Sequence, residues 1–212
     1  MRLIQALVLV AALALSVVVC ATTASAARLC QNENSDPCSA AYGKGQAIEA
    51  TLKSAKIPIG VWGPVECTGG MLKGQSTDAG GGAGFPVGVK IESMTLTPCT
   101  CPSGKASATA IFPAPPNEFW KAEVNWKTLK NGTLKILLPK IRAACAPESC
   151  LYTKAQIELE VKGENPAEII AEAAKTKMEL IAGESTIGCP AESSITATWE
   201  VTKPKPLFIT NE

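Results

Sequence analysis

The side chain that most often carries acid, base and metal chemistry is missing: the 212 residues contain no histidine. Ser-His and Cys-His nucleophile pairs and every His-ligated metal centre are thereby excluded. Aspartate is reduced to Asp36 and Asp78, both in turn-like surroundings, which leaves no Asp-rich calcium loop. Carboxylate chemistry would fall to glutamate. Glu118 beside Phe119-Trp120 and Glu123 near Trp126 are the starting points for a histidine-free hydrolase using paired Glu, since two carboxylates across a cleft suffice to break a glycosidic bond. Glutamates alternating along a strand are more simply solvated surface, and no catalytic residue is assigned.

Cysteine offers the next chemistry. Cys99-Thr100-Cys101 and the pair Cys145 and Cys150 hold enough sulfur for zinc, but their spacings do not match the usual knuckles, and no Cys-x-x-Cys redox pair occurs. No metal site and no cofactor is expected. Gly80-Gly81-Gly82-Ala83-Gly84 lacks the Lys and Ser or Thr of a phosphate-cradling loop and runs into Phe85-Pro86, so no nucleotide site is expected either. Asn131-Gly132-Thr133 is a glycosylation sequon by formula, although its simpler role is a turn. Among the aromatic residues, Trp120, Trp126 and Trp199 alternate in phase with aliphatic neighbours and belong to a core. Trp62, beside a Gly63-Pro64 turn, and Tyr152, on the polar face of its strand, are the candidates for a ligand-binding patch.

These residues are carried on an exported chain. Arg2 precedes an apolar run from Leu3 to Val19 interrupted only by Gln5 and Ser16, and Ala24-Ser25-Ala26 has the small-x-small pattern of a cleavage site. Residues 1–26 read as a signal peptide cut before Ala27, the alternative being a retained anchor. Cys20 follows Val19, where lipoprotein processing needs a small residue. Loss of the leader removes Arg2 and leaves 19 basic against 19 acidic side chains. Scattered, balanced charge gives no footprint for nucleic acid. The expected address is secreted or cell-envelope, outside the cytoplasm. There the eight remaining cysteines (Cys30, Cys38, Cys67, Cys99, Cys101, Cys145, Cys150 and Cys189) read as four disulfides, with 105 pairings open.

Residues 27–45 read as a loop-rich arm pinned by Cys30 and Cys38, and residues 46–212 as a single β domain. The dominant period is two. Val87, Val89 and Ile91 alternate before Met94 and Leu96 continue on the other parity, as in a bulged strand. Trp120, Ala122, Val124 and Trp126 form a half-buried strand, with Asn131-Gly132 as the tight turn into Leu134–Ile141. Leu151 to Lys162 is the clearest strand. Pro113-Ala114-Pro115-Pro116 reads as a rigid loop. Residues 167–180 have helical propensity, yet Ile170, Ala174, Met178 and Leu180 alternate, and a strand over Lys175 to Ile181 is preferred. Ile195, Ala197, Trp199 and Val201 make another strand. Leu207 to Thr210, after Lys203-Pro204-Lys205-Pro206, suits a protected edge. The fold class is all-β, an antiparallel sandwich or barrel of eight to ten strands with disulfides.

The segments Glu66-Cys67-Thr68-Gly69-Gly70, Met94-Thr95-Leu96-Thr97-Pro98-Cys99-Thr100, Cys150-Leu151-Tyr152, Gly188-Cys189-Pro190 and Ala197-Thr198-Trp199-Glu200-Val201-Thr202 resemble a group of small secreted actinobacterial β-rich proteins of unknown function. The resemblance spans most of residues 60–210. It implies an extracellular β domain without an assigned activity, bridges from Cys67 to Cys99 and from Cys150 to Cys189, and by remainder Cys30 to Cys38 and Cys101 to Cys145. A weak internal duplication of 60–101 in 145–202 fits the same segments. The expected role is non-enzymatic, binding or structural, with cell-wall or extracellular polysaccharide or a protein as partner. Its alternatives are a polysaccharide-binding surface module and the glutamate hydrolase.

Overall fold

The computed structural model describes residues 26–33, 38–80 and 85–211. The leader apart from Ala26, Asp36 and the run Gly81–Gly84 lie outside the described residues. The chain is all-β, with two short 3-10 turns as its other regular elements among the described residues.

Fifteen of the seventeen strand segments assemble into eight long staves, and each stave hydrogen-bonds antiparallel to the next in sequence. Stave A is β2 (Ala47–Pro58); stave B joins β3 (Pro64–Cys67) to β4 (Gly70–Ser76); stave C joins β5 (Val87–Leu96) to β6 (Cys99–Cys101). Stave D joins β7 (Gly104–Ala110) to β8 (Trp120–Thr128), and E joins β9 (Asn131–Leu137) to β10 (Lys140–Cys145). F joins β11 (Glu148–Thr153) to β12 (Gln156–Lys162), G joins β13 (Glu168–Ala171) to β14 (Met178–Leu180), and H joins β15 (Glu192–Ser193) to β16 (Thr196–Lys203). The halves of a stave share one register. Ala55 faces Cys67 and Thr51 faces Met71 across A and B, and Ile141 faces Tyr152 and Leu137 faces Gln156 across E and F. Stave H then pairs with A, Thr196 opposite Lys56 through Lys203 opposite Glu49. The ring is closed, an up-and-down barrel, which removes the unpaired edges of an open sheet.

Alternation decides which way the side chains point. Val87, Val89 and Ile91 are buried, then Met94 and Leu96, and the parity changes at a register shift between Lys73 and Gly74 opposite the Ile91–Ser93 stretch, as the sequence predicts for a bulge. Trp120, Ala122, Val124, Ile195, Ala197, Trp199 and Val201 are also buried. Stave D is interrupted by the proline loop at 111–119. There the Trp120 indole donates to the Ile111 carbonyl (3.1 Å) and Phe112 stacks on its ring (4.5 Å between centroids), filling the break. The outer wall is charged, with cross-strand pairs Lys53–Glu200 (2.7 Å), Lys56–Glu66 (3.0 Å) and Lys135–Glu158 (3.6 Å). The Lys53 ammonium, bonded to Glu200, holds that carboxyl below the usual range.

Three expectations are corrected here and one is refined. The D-to-E hairpin turns at Leu129-Lys130, with Leu129 at φ 49°, and not at Asn131-Gly132. Asn131 begins β9, where its side-chain oxygen accepts from the Gly163 amide (3.1 Å). Leu151 to Lys162 is two strands broken at Lys154-Ala155, because the inward parity is even in β11 and odd in β12. The strand preferred over Lys175 to Ile181 is present as the shorter β14, and a further strand, β13, precedes it across a turn; the two serve different neighbours. Leu207 to Thr210 is not an exposed edge that avoids neighbours: β17 (Phe208–Thr210) pairs with β1 (Arg28–Cys30) and all four residues are buried.

The two ends of the barrel differ. At one, β1 and β17 form a two-stranded plug that puts Leu29, Leu207 and Ile209 among the aliphatic residues of staves A to G. At the other, the A–B, C–D, E–F and G–H connections meet. Three disulfides lie in that half: Cys67–Cys99, Cys101–Cys145 and Cys150–Cys189. The fourth, Cys30–Cys38, lies within the arm beside the plug.

Candidate functional site: the disulfide-closed end

The A–B connection is short and bracketed by glycines. Gly60 (φ 70°) and Gly63 (φ 80°) take left-handed conformations around the 3-10 turn Gly60–Trp62, which glycine adopts without penalty. Reciprocal bonds, Gly63 amide to Gly60 carbonyl and Ile59 amide to Gly63 carbonyl (3.2 Å each), lock the loop. The turn lifts Val61 outward, 93% exposed, and lays Trp62 half-buried against the core.

The G–H connection is held more firmly. The Ile181 amide donates to the Leu151 carbonyl (2.8 Å) and the Leu151 amide to Ser185 Oγ (2.9 Å). The Thr186 amide donates to the Ser149 carbonyl and the Ser149 amide to Thr186 Oγ1, both at 3.0 Å. The loop thus stands in for a strand along the edge of β11. Arg142 Nη1 bonds the Glu184 carbonyl (3.0 Å), Thr186 Oγ1 donates to the Glu148 carboxylate, and Cys189 is bridged to Cys150. From this frame Ile187 projects fully into solvent, at 105% relative exposure.

The two loops touch. A Cβ on Gly188 would fall 3.0 Å from Trp62 Nε1 and 2.8 Å from Glu148 Oε1, and one on Gly60 would fall 3.3 Å from Pro190 Cδ. Gly188 is therefore wedged between the indole edge and the carboxylate. Across the same end, Ser103 Oγ donates to the Ala146 carbonyl (3.0 Å), and the Pro102 ring packs so closely on Gly63 that a Cβ there would lie 2.7 Å from its Cγ. The result is a rigid cap with two bare aliphatic side chains beside one half-buried tryptophan. An aliphatic side chain held in solvent gains free energy when a partner's apolar surface covers it. Leu129 and Leu138 are also exposed, each at a separate turn, as scattered apolar residues commonly are.

Of the two aromatic candidates, Trp62 lies in this cap. Tyr152 does not reach the surface: it is fully buried in β11. Its expected place on a polar face is overturned by the parity change at Lys154-Ala155, which puts Cys150 and Tyr152 opposite Ala143 and Ile141 on the core side. Burial pushes its phenol up to about 12, and its hydroxyl has no hydrogen-bond partner among the described residues. Glu118 is exposed in the proline loop, and Glu123 stands on the outer wall opposite Gly88 and Lys135. Glu123 shares an open recess with Asp78, whose oxygens are already engaged by the Gly80 amide (3.1 Å) and the Gly88 amide (3.0 Å). Among the described residues no group of three or more acidic or thiol ligands comes together to hold a metal. Val61 and Ile187 were not singled out in the sequence. Their signal is a lone aliphatic residue inside a glycine-bounded turn, out of phase with either neighbouring strand.

Comparison with known proteins finds no matching family, no similar curated protein and no similar solved structure.

Proposed function

We propose that this chain is an exported, non-enzymatic binding protein that meets a protein partner through the Val61–Trp62–Ile187 end of its barrel. The observation that carries the reading is the exposure of Val61 and Ile187, 93% and 105%, on loops that disulfides and hydrogen bonds keep from folding them away. Four disulfides accord with an extracytoplasmic location, and the leader-like Leu3–Val19 run supports the same address. Kinship with small secreted actinobacterial proteins, drawn from the cysteine-flanked segments, belongs to this reading. A protein with an apolar socket fits better than a polysaccharide, because sugar stacking uses exposed rings and Phe85 alone is largely exposed among the described aromatic residues.

The test places a photo-crosslinking side chain at Ile187 or Val61, and at Lys135 on the charged wall as control, in a host that secretes the protein. One discrete adduct is expected from both cap positions and none from the wall. Equal labelling from all three positions, or unprocessed chain with free thiols inside the cell, overturns the reading.

A further inference from the structure

The plugged end carries a second site. Inside the barrel mouth a cavity of about 30 Å³ presents no polar surface and is lined by Leu29, Leu207 and Ile209 of the plug side, by aliphatic residues of the staves and by Gly74. An apolar void of this size stays dry. The staves close their ring without any help from the plug. No disulfide joins plug to barrel, since Cys30 is bridged to Cys38 within the arm. The plug meets the rim through main-chain bonds from Ile209 to the Lys130 carbonyl (2.9 Å), Leu207 to the Glu164 carbonyl (3.3 Å) and Ala27 to the Phe85 carbonyl (3.2 Å). At the lip, Lys130 binds the carboxylate of Glu33, itself on the arm (2.6 Å), and exposed Lys203 and Lys205 flank the entry into β17. The arm and plug together therefore present hydrocarbon to the barrel and a carboxylate to a lysine, which is the chemistry of a long-chain carboxylate.

We propose that the plug withdraws to admit a single-chain anionic amphiphile, whose acyl chain replaces Leu29, Leu207 and Ile209 in the barrel and whose carboxylate replaces Glu33 on Lys130. The lining accepts only hydrocarbon, because a buried polar group would find no partner there. Apparent affinity is the intrinsic affinity reduced by the small open fraction, so weakening the plug tightens binding. The site is separate from the Trp62 cap.

The test titrates the oxidised protein with cis-parinaric acid, displaces it with oleate, and follows amide exchange of the unaltered chain with and without oleate. Saturable one-to-one binding is expected, with faster exchange at Leu207 and Ile209 when oleate is bound. L207A/I209A should bind at least about tenfold more tightly, and K130M should bind the acid several-fold more weakly while leaving a parinaryl alcohol unaffected. Absence of saturable binding overturns the proposal. So does binding that V61S/I187S abolishes while the exchange of Leu207 and Ile209 stays unchanged, which would put the amphiphile on the cap.

Discussion

The cap and the plug close the same barrel by different physics. The cap is covalent: Cys101–Cys145 and Cys150–Cys189 span sequence separations of 44 and 39, and side-chain hydroxyls of Ser185 and Thr186 seal the edge of β11. The plug is held by three aliphatic side chains, a few main-chain bonds and one ion pair, and its own disulfide closes a separation of 8 within the arm. Cross-linking restrains the unfolded chain more the longer the loop it closes, so the cap is fixed whenever the compartment is oxidising. The plug is joined to the barrel only by non-covalent contacts, which on the proposal above can exchange with something equally apolar. Rigidity suits an end that displays Val61 and Ile187, and exchangeability suits an end that surrounds a dry cavity.

Mutations that separate the two closures sharpen this contrast. Replacing both Cys101 and Cys145 by alanine should lower unfolding free energy by about 4 kcal/mol, and the same change at Cys30 and Cys38 by about 2.5 kcal/mol, from the loop lengths closed. Denaturant titration of the oxidised variants measures both, and an arm bridge worth more than the cap bridge would break the comparison. Glycines at the two ends come next. A Cβ on Gly132 would lie 2.5 Å from the Asn125 carbonyl oxygen and 2.9 Å from Ile209 Cγ2, whereas Gly183 in the cap loop has nothing within 4 Å. G132A should therefore cost about 1 to 3 kcal/mol by forcing the plug outward, and G183A should change stability by less than about 0.5 kcal/mol.

Tyr152 gives a smaller effect with a defined sign. Its phenol keeps its proton to about pH 12 in the folded barrel but releases it near 10 when unfolded. The unfolded state then binds fewer protons between those values, so stability is intact below pH 10 and declines as pH rises toward 12. Y152F should remove that decline, and at neutral pH it should be neutral or stabilising by up to about 1 kcal/mol, because it deletes a buried hydroxyl with no partner among the described residues. Smallest of all, V61S/I187S should leave the melting curve unchanged within about 0.5 kcal/mol, while V61S alone should weaken the adduct formed from a crosslinking side chain at Ile187.

The β class was legible because one face of each stave is wet: Ile157, Leu159 and Val161 alternate with Glu158 and Glu160, and period-two patterning carries that information directly. Eight staves were within reach of the pattern, but their mid-length breaks were not. Lys154-Ala155 interrupts an alternation that runs on in the sequence, since the signal for a parity change lies in which neighbours each half meets. That is why Tyr152 read as exposed and is buried. The hairpin after Trp126 was legible and its turn misplaced, because Asn-Gly fits a tight turn by propensity while Gly132 is taken up by the approach of Ile209. The plug was hidden for the same reason: Leu207 to Thr210 carries no mark of being the far partner of Arg28–Cys30. Even cysteine number made disulfides legible in kind, whereas partner choice among 105 pairings is set by the closed ring.

Amide hydrogen exchange of the oxidised protein tests the difference between the two ends most directly. The amides of Ala27, Leu207 and Ile209 should exchange through a local opening well before the barrel unfolds, while those of Ser149, Leu151 and Thr186 exchange only with the staves. Cap amides that open first, or plug amides as protected as the staves, would contradict a barrel locked at one end and unlatched at the other.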